Sequence, residues 1–294
     1  MEVQDERPPV TIPLDCVGFR GIRRRIIIGQ ETGISLVASI DVCVSIPENR
    51  RGAHLSRNYF AILEALRGEE RGKSIEYYLS RIAERLLDLH PYALKATVSA
   101  RTVYFVEHGV EDVRDGEEPV DVLVTVERSR NGPELWSVQV TVSGMTACPS
   151  AQKTITALLG MSPDRPGPTH SQRARLTLRV QGVSGQIVRI ESLARAAFRA
   201  FSAPAVSLLK RQDEAKLVLR AHRNPKLAED VVRDALVEAA RVLVGLGYGP
   251  ETRVFAEIES FESIHPQNVY ARAEAALRDL IPLIGADRDL GEHH

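Results

Sequence analysis

The order of apolar and polar positions predicts most of the elements directly. Val and Ile crowd residues 22–48 on both sides of Gly29–Gly33, which predicts two strands around a turn, with Pro47 ending the second. A polar loop over Glu48–Arg57 follows. Tyr59, Ile62, Leu63 and Leu66 then fall at helical spacing, as do Ile75, Tyr78, Leu79, Ile82, Leu86 and Leu87, so two helices flank the polar GEERGK segment. Leu94–Val106 alternates as a strand through Ala96, Val98, Ala100 and Thr102. After an acidic turn over Gly109–Pro119, Val120–Val126 and Leu135–Val142 read as a hairpin around Asn131-Gly132.

The second half runs in a similar order. A short helix near Cys148–Leu159 and a breaker-rich connection over 161–169 lead into a strand over Ala174–Val183. Gly185 turns the chain into a helix over Ile187–Phe201, and a loop over Ser202–Lys210 carries Pro204. Leu217–Ala221 reads as a short extended piece. Asn224 is a candidate N-cap with Pro225 as first helical residue, opening a helix to Leu246. Arg253–Ile258 reads as a strand and Val269–Leu280 as a closing helix stopped by Pro282. Each half thus gives strands, a helix pair and more strands. From element order alone, an internal duplication and an ordinary α+β protein remain alternatives.

Composition narrows the function classes. The chain has 294 residues, 44% hydrophobic and 26% charged, the profile of a globular protein with a full core. With 38 Lys+Arg against 39 Asp+Glu, the charge balance argues against a broad nucleic-acid surface and leaves room for a local anion pocket. Apolar runs such as Ile26–Ile28 fall far short of the roughly 20 residues of a membrane helix. The acidic N-terminus lacks the basic-then-apolar order of a secretory signal. Cys16, Cys43 and Cys148 are odd in number and widely spaced, which predicts a reducing compartment without a disulfide framework, hence a cytoplasmic protein. His293 and His294 end the chain and are given no function.

Reactive residues crowd several non-periodic segments. These are Arg51–Arg57, Thr146–Gln152 with Pro168–Arg173, Glu262–Asn268, and the more basic Leu209–Glu214. Cys148, His170 and His265, from separate loops, are a set that could ligate a catalytic metal and leave a position open for water. A thiolate favours Zn or Fe(II) over Mg. The alternative is a small buried cysteine with turn-capping histidines. Lys210 and Arg211 beside Asp213 and Glu214 suit a nucleotide, since a carboxylate accepts from a guanine edge while cations meet phosphate. They also suit a solvated turn. His54 and Arg57 could bind an anion or decorate a loop.

At these segments the chain resembles a known family. GAHLSR at 52–57, MTACPSAQ at 145–152, THSQR at 169–173, LLKRQDE at 208–214, NPKLAEDVVRDA at 224–235 and ESIHPQNVYA at 262–271 follow the order found in the type IB GTP cyclohydrolases. The spacer between Cys148 and His170 is more similar to the archaeal branch. The resemblance implies tandem tunnelling-fold modules in an α+β chain, antiparallel sheets backed by helix pairs, with halves at 1–147 and 148–294 forming one bimodular subunit. It implies a homotetramer with sites at subunit interfaces. It also implies GTP as substrate, C8 released as formate, and a dihydroneopterin product, a cyclic phosphate in the Fe(II)-dependent archaeal branch and a triphosphate in the bacterial one. Carried over by residue, Cys148, His170 and His265 are the catalytic and metal-binding set for one Fe(II) or Zn(II). Glu214 anchors the guanine edge. Lys210, Arg211, Arg57, Arg173, His54 and Gln172 complete the substrate contacts.

Three features depart from the family pattern. Ser150 replaces a second cysteine, and Gln267 and Asn268 stand where a histidine and an acidic residue are usual. Arg199 stands where the family has a metal-ligating glutamate, and a cation there would repel a metal. Glu191 lies two turns earlier, about 12 Å along an ideal helix. The alternatives are therefore a divergent paralogue acting on a related purine nucleotide or pterin, with Cys148 as a nucleophile activated by Arg199, and a purine-binding subunit without catalysis.

Overall fold

A computed structural model describes residues 2–29, 33–67, 73–108, 116–162, 165–183 and 188–285. The chain begins with a long antiparallel pair, β1 (Leu14–Ile28) and β2 (Ile34–Ile46). Two helices follow, α1 (Leu55–Ala65) and α2 (Ile75–Leu89), then β3 (Lys95–Glu107) and β4 (Glu117–Ser129). Next come β5 (Leu135–Ala147), α3 (Pro149–Leu158), β6 (Ser171–Val183), α4 (Ile190–Ala200) and the two-residue β7 (Ala203–Pro204). The chain continues with α5 (Arg211–Arg223), α6 (Ala228–Gly245), β8 (Arg253–Ser260), β9 (Val269–Ala276) and a short α7 (Leu277–Leu280). Hydrogen-bonded neighbours run β1-β2-β3-β4-β5-β6-β8-β9, with β7 paired to β5. The GEERGK segment, the acidic turn and the Gly185 turn lie mostly or wholly outside the described residues, as do His293 and His294.

The chain forms two compact units. The first holds residues 1–104, 122–138 and 181–187. Its core is the apolar stripe of α2, with Leu79, Ile82 and Leu86 fully buried, together with Ile40 and Val44 of β2 and Ala96 and Val98 of β3. Ser74 caps α2 by accepting the Tyr77 N–H, so this helix starts where an N-cap residue meets the first apolar position. The second unit holds residues 105–121, 139–180 and 188–294. There α4 packs on α6, and α6 on β8 and β9. Leu193, Val231, Leu243, Leu176, Val254 and Ile258 are fully buried. Gly144 permits a close approach in this core. A Cβ at that position would lie 2.3 Å from the Phe201 ring, so any side chain there must displace the aromatic.

Four expectations are corrected. Leu217–Ala221 is helical rather than extended. Only Leu217 and Ala221 of α5 are buried, one helical turn apart, and the Asp213 carboxylate caps the helix by accepting the Lys210 N–H. Asn224 ends α5 instead of opening the next helix, and its Nδ2 donates to the carbonyls of Phe201 and Ser202. α6 opens three residues later than Pro225, at Ala228. Residues 269–276 form a strand, not a helix. Pairing from Ser260↔Val269 to Arg253↔Ala276 overrides the helix preference of its alanines, and the Tyr270 O–H donates to Glu257 while Arg253 pairs with Glu274.

The fourth correction concerns the cysteines. Cys16 and Cys43 form a disulfide, with Cα atoms 5.2 Å apart. Spacing along the chain hides this pair, because it is the β1–β2 ladder that sets Gly18 opposite Cys43 and brings the two thiols together. Cysteine usage therefore no longer argues for a reducing compartment. The bridge closes a sequence separation of 27 residues, which in the chain-entropy account is worth about 3.5 kcal/mol. Replacing both cysteines by alanine should lower unfolding stability by about that amount. Unmodified protein should show two fewer alkylatable thiols until it is reduced, as read by intact mass.

A polar group is buried in the first unit. His90 is fully buried, with Nε2 2.8 Å from Asn58 Oδ1 and Nδ1 2.7 Å from the Tyr92 hydroxyl. The amide oxygen can only accept, so Nε2 carries the proton and Nδ1 accepts from tyrosine. Burial, reinforced by Arg57, lowers the imidazole pKa to about 4. Below the ordinary value of 6.5 the unfolded chain takes up a proton that the folded chain refuses. Stability should therefore fall as pH drops from about 6.5 to 4, by up to about 3 kcal/mol. Denaturant midpoints at pH 7.5 and 5 would measure this, and His90→Gln, weaker at neutral pH, should lose much less on acidification.

Candidate active site

Three neighbouring strands of the second unit end at one place. Thr146 lies near the end of β5, Gln172 near the start of β6 and Ser260 at the end of β8. Just beyond those ends stand Cys148, His170, Glu262 and His265, and all seven residues line one cavity of about 200 Å3. Lys226, Glu229 and Val269 also reach it.

Main-chain bonds fix two of these residues to each other. The Cys148 N–H donates to the His170 carbonyl at 3.2 Å, and the Cys148 carbonyl accepts from the Thr169 hydroxyl at 2.7 Å and from the Gln152 N–H at 3.1 Å. Cys148 is also the N-cap of α3, its Sγ accepting the Ala151 N–H at 3.4 Å, with Pro149 as first helical residue. The Gln152 amide braces the other side, donating to the carbonyls of Gly167 and His222.

The Glu262 side chain is 7% exposed, so its carboxylate must be met by donors. Oε1 accepts from Gln172 Nε2 at 3.0 Å and from the Ser260 hydroxyl at 3.1 Å. Oε2 lies 3.9 Å from His170 Nδ1. Gln172 Nε2 also donates to Thr146 at 2.8 Å, while its Oε1 lies 3.0 Å from His170 Nδ1. Lys226, on the cavity wall, pairs with Asp234 at 2.6 Å and donates to the Ala200 carbonyl.

The expected site residues divide. Cys148, His170, His265 and Gln172 line the cavity; His265 is on the exposed segment between β8 and β9. Glu214, Lys210 and Arg211 are exposed around the start of α5 and do not line it, and the exposed Arg173 meets this region through its carbonyl, which accepts the Phe261 N–H. In the first unit, Arg57 donates to the Leu89 carbonyl at 3.0 Å, while His54 faces Glu2 at 2.6 Å and Asp5 at 3.2 Å. Arg199 is half exposed and bonds Glu238 at 2.6 Å. It does not line the cavity, so neither repulsion of a metal nor activation of Cys148 falls to it. Sequence reading missed Glu262, Thr146, Ser260 and Lys226 as site residues. Glu262 was within reach, since it opens the segment that contains His265.

A sulfur and two imidazoles on one cavity suit Fe(II) or Zn(II). Their donor atoms are not drawn together as a closed set. Among the described residues, the trio with ligand atoms all within 4.8 Å of one another is Glu2, Asp5 and His54, where Asp5 is also held by Arg50.

Comparison with known proteins agrees with this architecture. The uricase of Arthrobacter globiformis superposes with a TM-score of 0.55 at 7% identity, covering 92% of this chain and 96% of the uricase. A uricase from Bacillus fastidious gives 0.53 at 11% identity, covering 91% and 95%. At such identities the likeness concerns the fold alone, which is the tunnelling fold. The profile of the type I GTP cyclohydrolase folE2 family matches residues 1–271. The GTP cyclohydrolase MptA of Aeropyrum pernix is 45% identical over 283 residues, covering 95% of this chain and 97% of the relative. That of Thermoplasma acidophilum is 32% identical over 290 residues, covering 95% and 96%. The chain belongs to the type I GTP cyclohydrolase folE2 family.

Proposed function

We propose that the chain is a GTP cyclohydrolase that opens the guanine imidazole ring, releases C8 as formate and leaves a dihydroneopterin phosphate. The observation that carries this reading is the convergence of Cys148, His170 and His265 on one cavity beside the buried Glu262 carboxylate. Family membership supports GTP as the substrate. The donor set fits one Fe(II) or Zn(II), held by Cys148, His170 and His265. Such an ion supplies a water acidic enough to attack near neutral pH.

The chain's own residues then have separate tasks. Cys148 and His170 are held by the backbone before substrate arrives. His265, on its exposed segment, would complete the ligand set on the side where the ring enters. A cavity of about 200 Å3 is smaller than the roughly 300–1,000 Å3 of common ligand pockets, so it takes the ring end of the nucleotide. Ribose and phosphates extend beyond it toward cations such as Lys210, Arg211 and Arg173.

Glu214, the expected guanine anchor, does not line this cavity. A homotetramer, with Glu214 of one subunit serving the cavity of another, reconciles that placement with the proposed role. The cytoplasm, where GTP is abundant, is the compartment that goes with this reading. Among the described residues no helix is long and apolar enough to cross a membrane.

Anaerobically purified protein should carry about one Fe or Zn per chain and release formate from GTP. Cys148→Ser should lose the metal, and formate release should drop on the order of 1,000-fold. Formate released at the wild-type rate with no metal bound would overturn the proposal. Separately, inactive Cys148→Ser and Glu214→Gln proteins, mixed and reassembled, should regain up to about a quarter of wild-type activity if sites are shared between subunits. No recovery on verified mixed oligomers would place both residues in the same subunit's site.

A further inference from the structure

We propose that Gln172, with Thr146 and Ser260, is a positioning device that fixes the tautomer of His170 and so decides which imidazole nitrogen faces the metal. The proposal rests on the metal-site reading above, but its first readout needs neither metal nor turnover.

The argument follows from donors and acceptors alone. An ionised carboxylate only accepts hydrogen bonds. Glu262 Oε1, 3.0 Å from the Gln172 amide, therefore turns the NH2 end of that amide toward itself. The same NH2 reaches Thr146 Oγ1 at 2.8 Å and Ser260 Oγ at 3.3 Å. Both hydroxyls can accept and still donate onward: Ser260 to Glu262 at 3.1 Å, and Thr146 to Ser260 at 3.1 Å. Every proton in the network then has one direction. The remaining end of the Gln172 amide is its carbonyl oxygen, which lies 3.0 Å from His170 Nδ1 and can only accept. Nδ1 must carry the proton, which leaves the Nε2 lone pair free to ligate.

Burial makes the arrangement hard to invert. Thr146 is 2% and Ser260 1% exposed, so neither hydroxyl has bulk water as a substitute partner. Flipping the Gln172 amide would set its oxygen against the Glu262 carboxylate and leave the Thr146 hydroxyl without its donor. Neutral imidazole in water favours the opposite tautomer, with the proton on Nε2, so the network works against the intrinsic preference. Ligating histidines in general owe their orientation to such an outer partner, whose loss weakens metal binding roughly 10- to 100-fold.

The test uses the full chain, freed of metal and labelled with 15N-histidine, with His170 assigned through His170→Asn. Long-range proton–nitrogen correlation in the wild type should show the Nδ1–H form at His170. Gln172→Leu should shift it toward the Nε2–H form and weaken Zn(II) binding roughly 10- to 100-fold by chelator competition. Should Gln172→Leu not fold, Ser260→Ala combined with Thr146→Val shifts both readouts in the same direction by less. An Nε2–H form in the wild type, or a variant that keeps both the tautomer and the Zn(II) affinity within twofold, overturns the proposal. A wild type that releases no formate from GTP sinks the cyclohydrolase reading instead and leaves these two readouts standing.

Discussion

A carboxylate removed from water must be met by hydrogen-bond donors, and at Glu262 that requirement organises the whole cavity. Two donors converge on one of its oxygens, from Gln172 and Ser260, and the other oxygen faces His170. None of these partners is near Glu262 by accident of a flexible loop. They sit at the adjoining ends of β5, β6 and β8, which are hydrogen-bonded neighbours in antiparallel order, so the end of one strand lies beside the start of the next. The polar cluster inherits the rigidity of the sheet, as a site does when it is built on regular elements.

Cys148 and His170 are each set one residue beyond those strand ends, and His265 stands five residues beyond β8. Cys148 and His170 are joined by a main-chain hydrogen bond, and Cys148 doubles as the cap of α3. The sheet thus orients the hydroxyls and the amide, and the short segments beside it carry the sulfur and the imidazoles. His265 differs from the others in standing on an exposed segment.

Much of the fold was legible in the sequence because its periodicities are clean. The stripe of Ile75, Leu79, Ile82 and Leu86 marks α2, and Asn131-Gly132 marks the turn between β4 and β5. The misread elements lack such a signal. β9 is an alanine-rich segment whose strand state comes from pairing with β8, a partner that no local window contains. α5 buries only Leu217 and Ala221, too few apolar positions to announce a helix. In the site, Cys148, His170 and His265 stood out by residue type. Glu262, Thr146 and Ser260 did not, because their importance arises from burial against one another across three strands. Arg199 shows the reverse case. Its place in the family pattern suggested a conflict with a metal, and the helix turns it outward onto Glu238.

The bridge between Cys16 and Cys43 changes what the chain is as a connected object. The segment between the two cysteines, including the turn after β1, is a closed covalent ring rather than a stretch of line. A single cut inside that ring creates two new ends but frees no fragment, so the long N-terminal hairpin keeps both strands attached through an event that would sever an unbridged one.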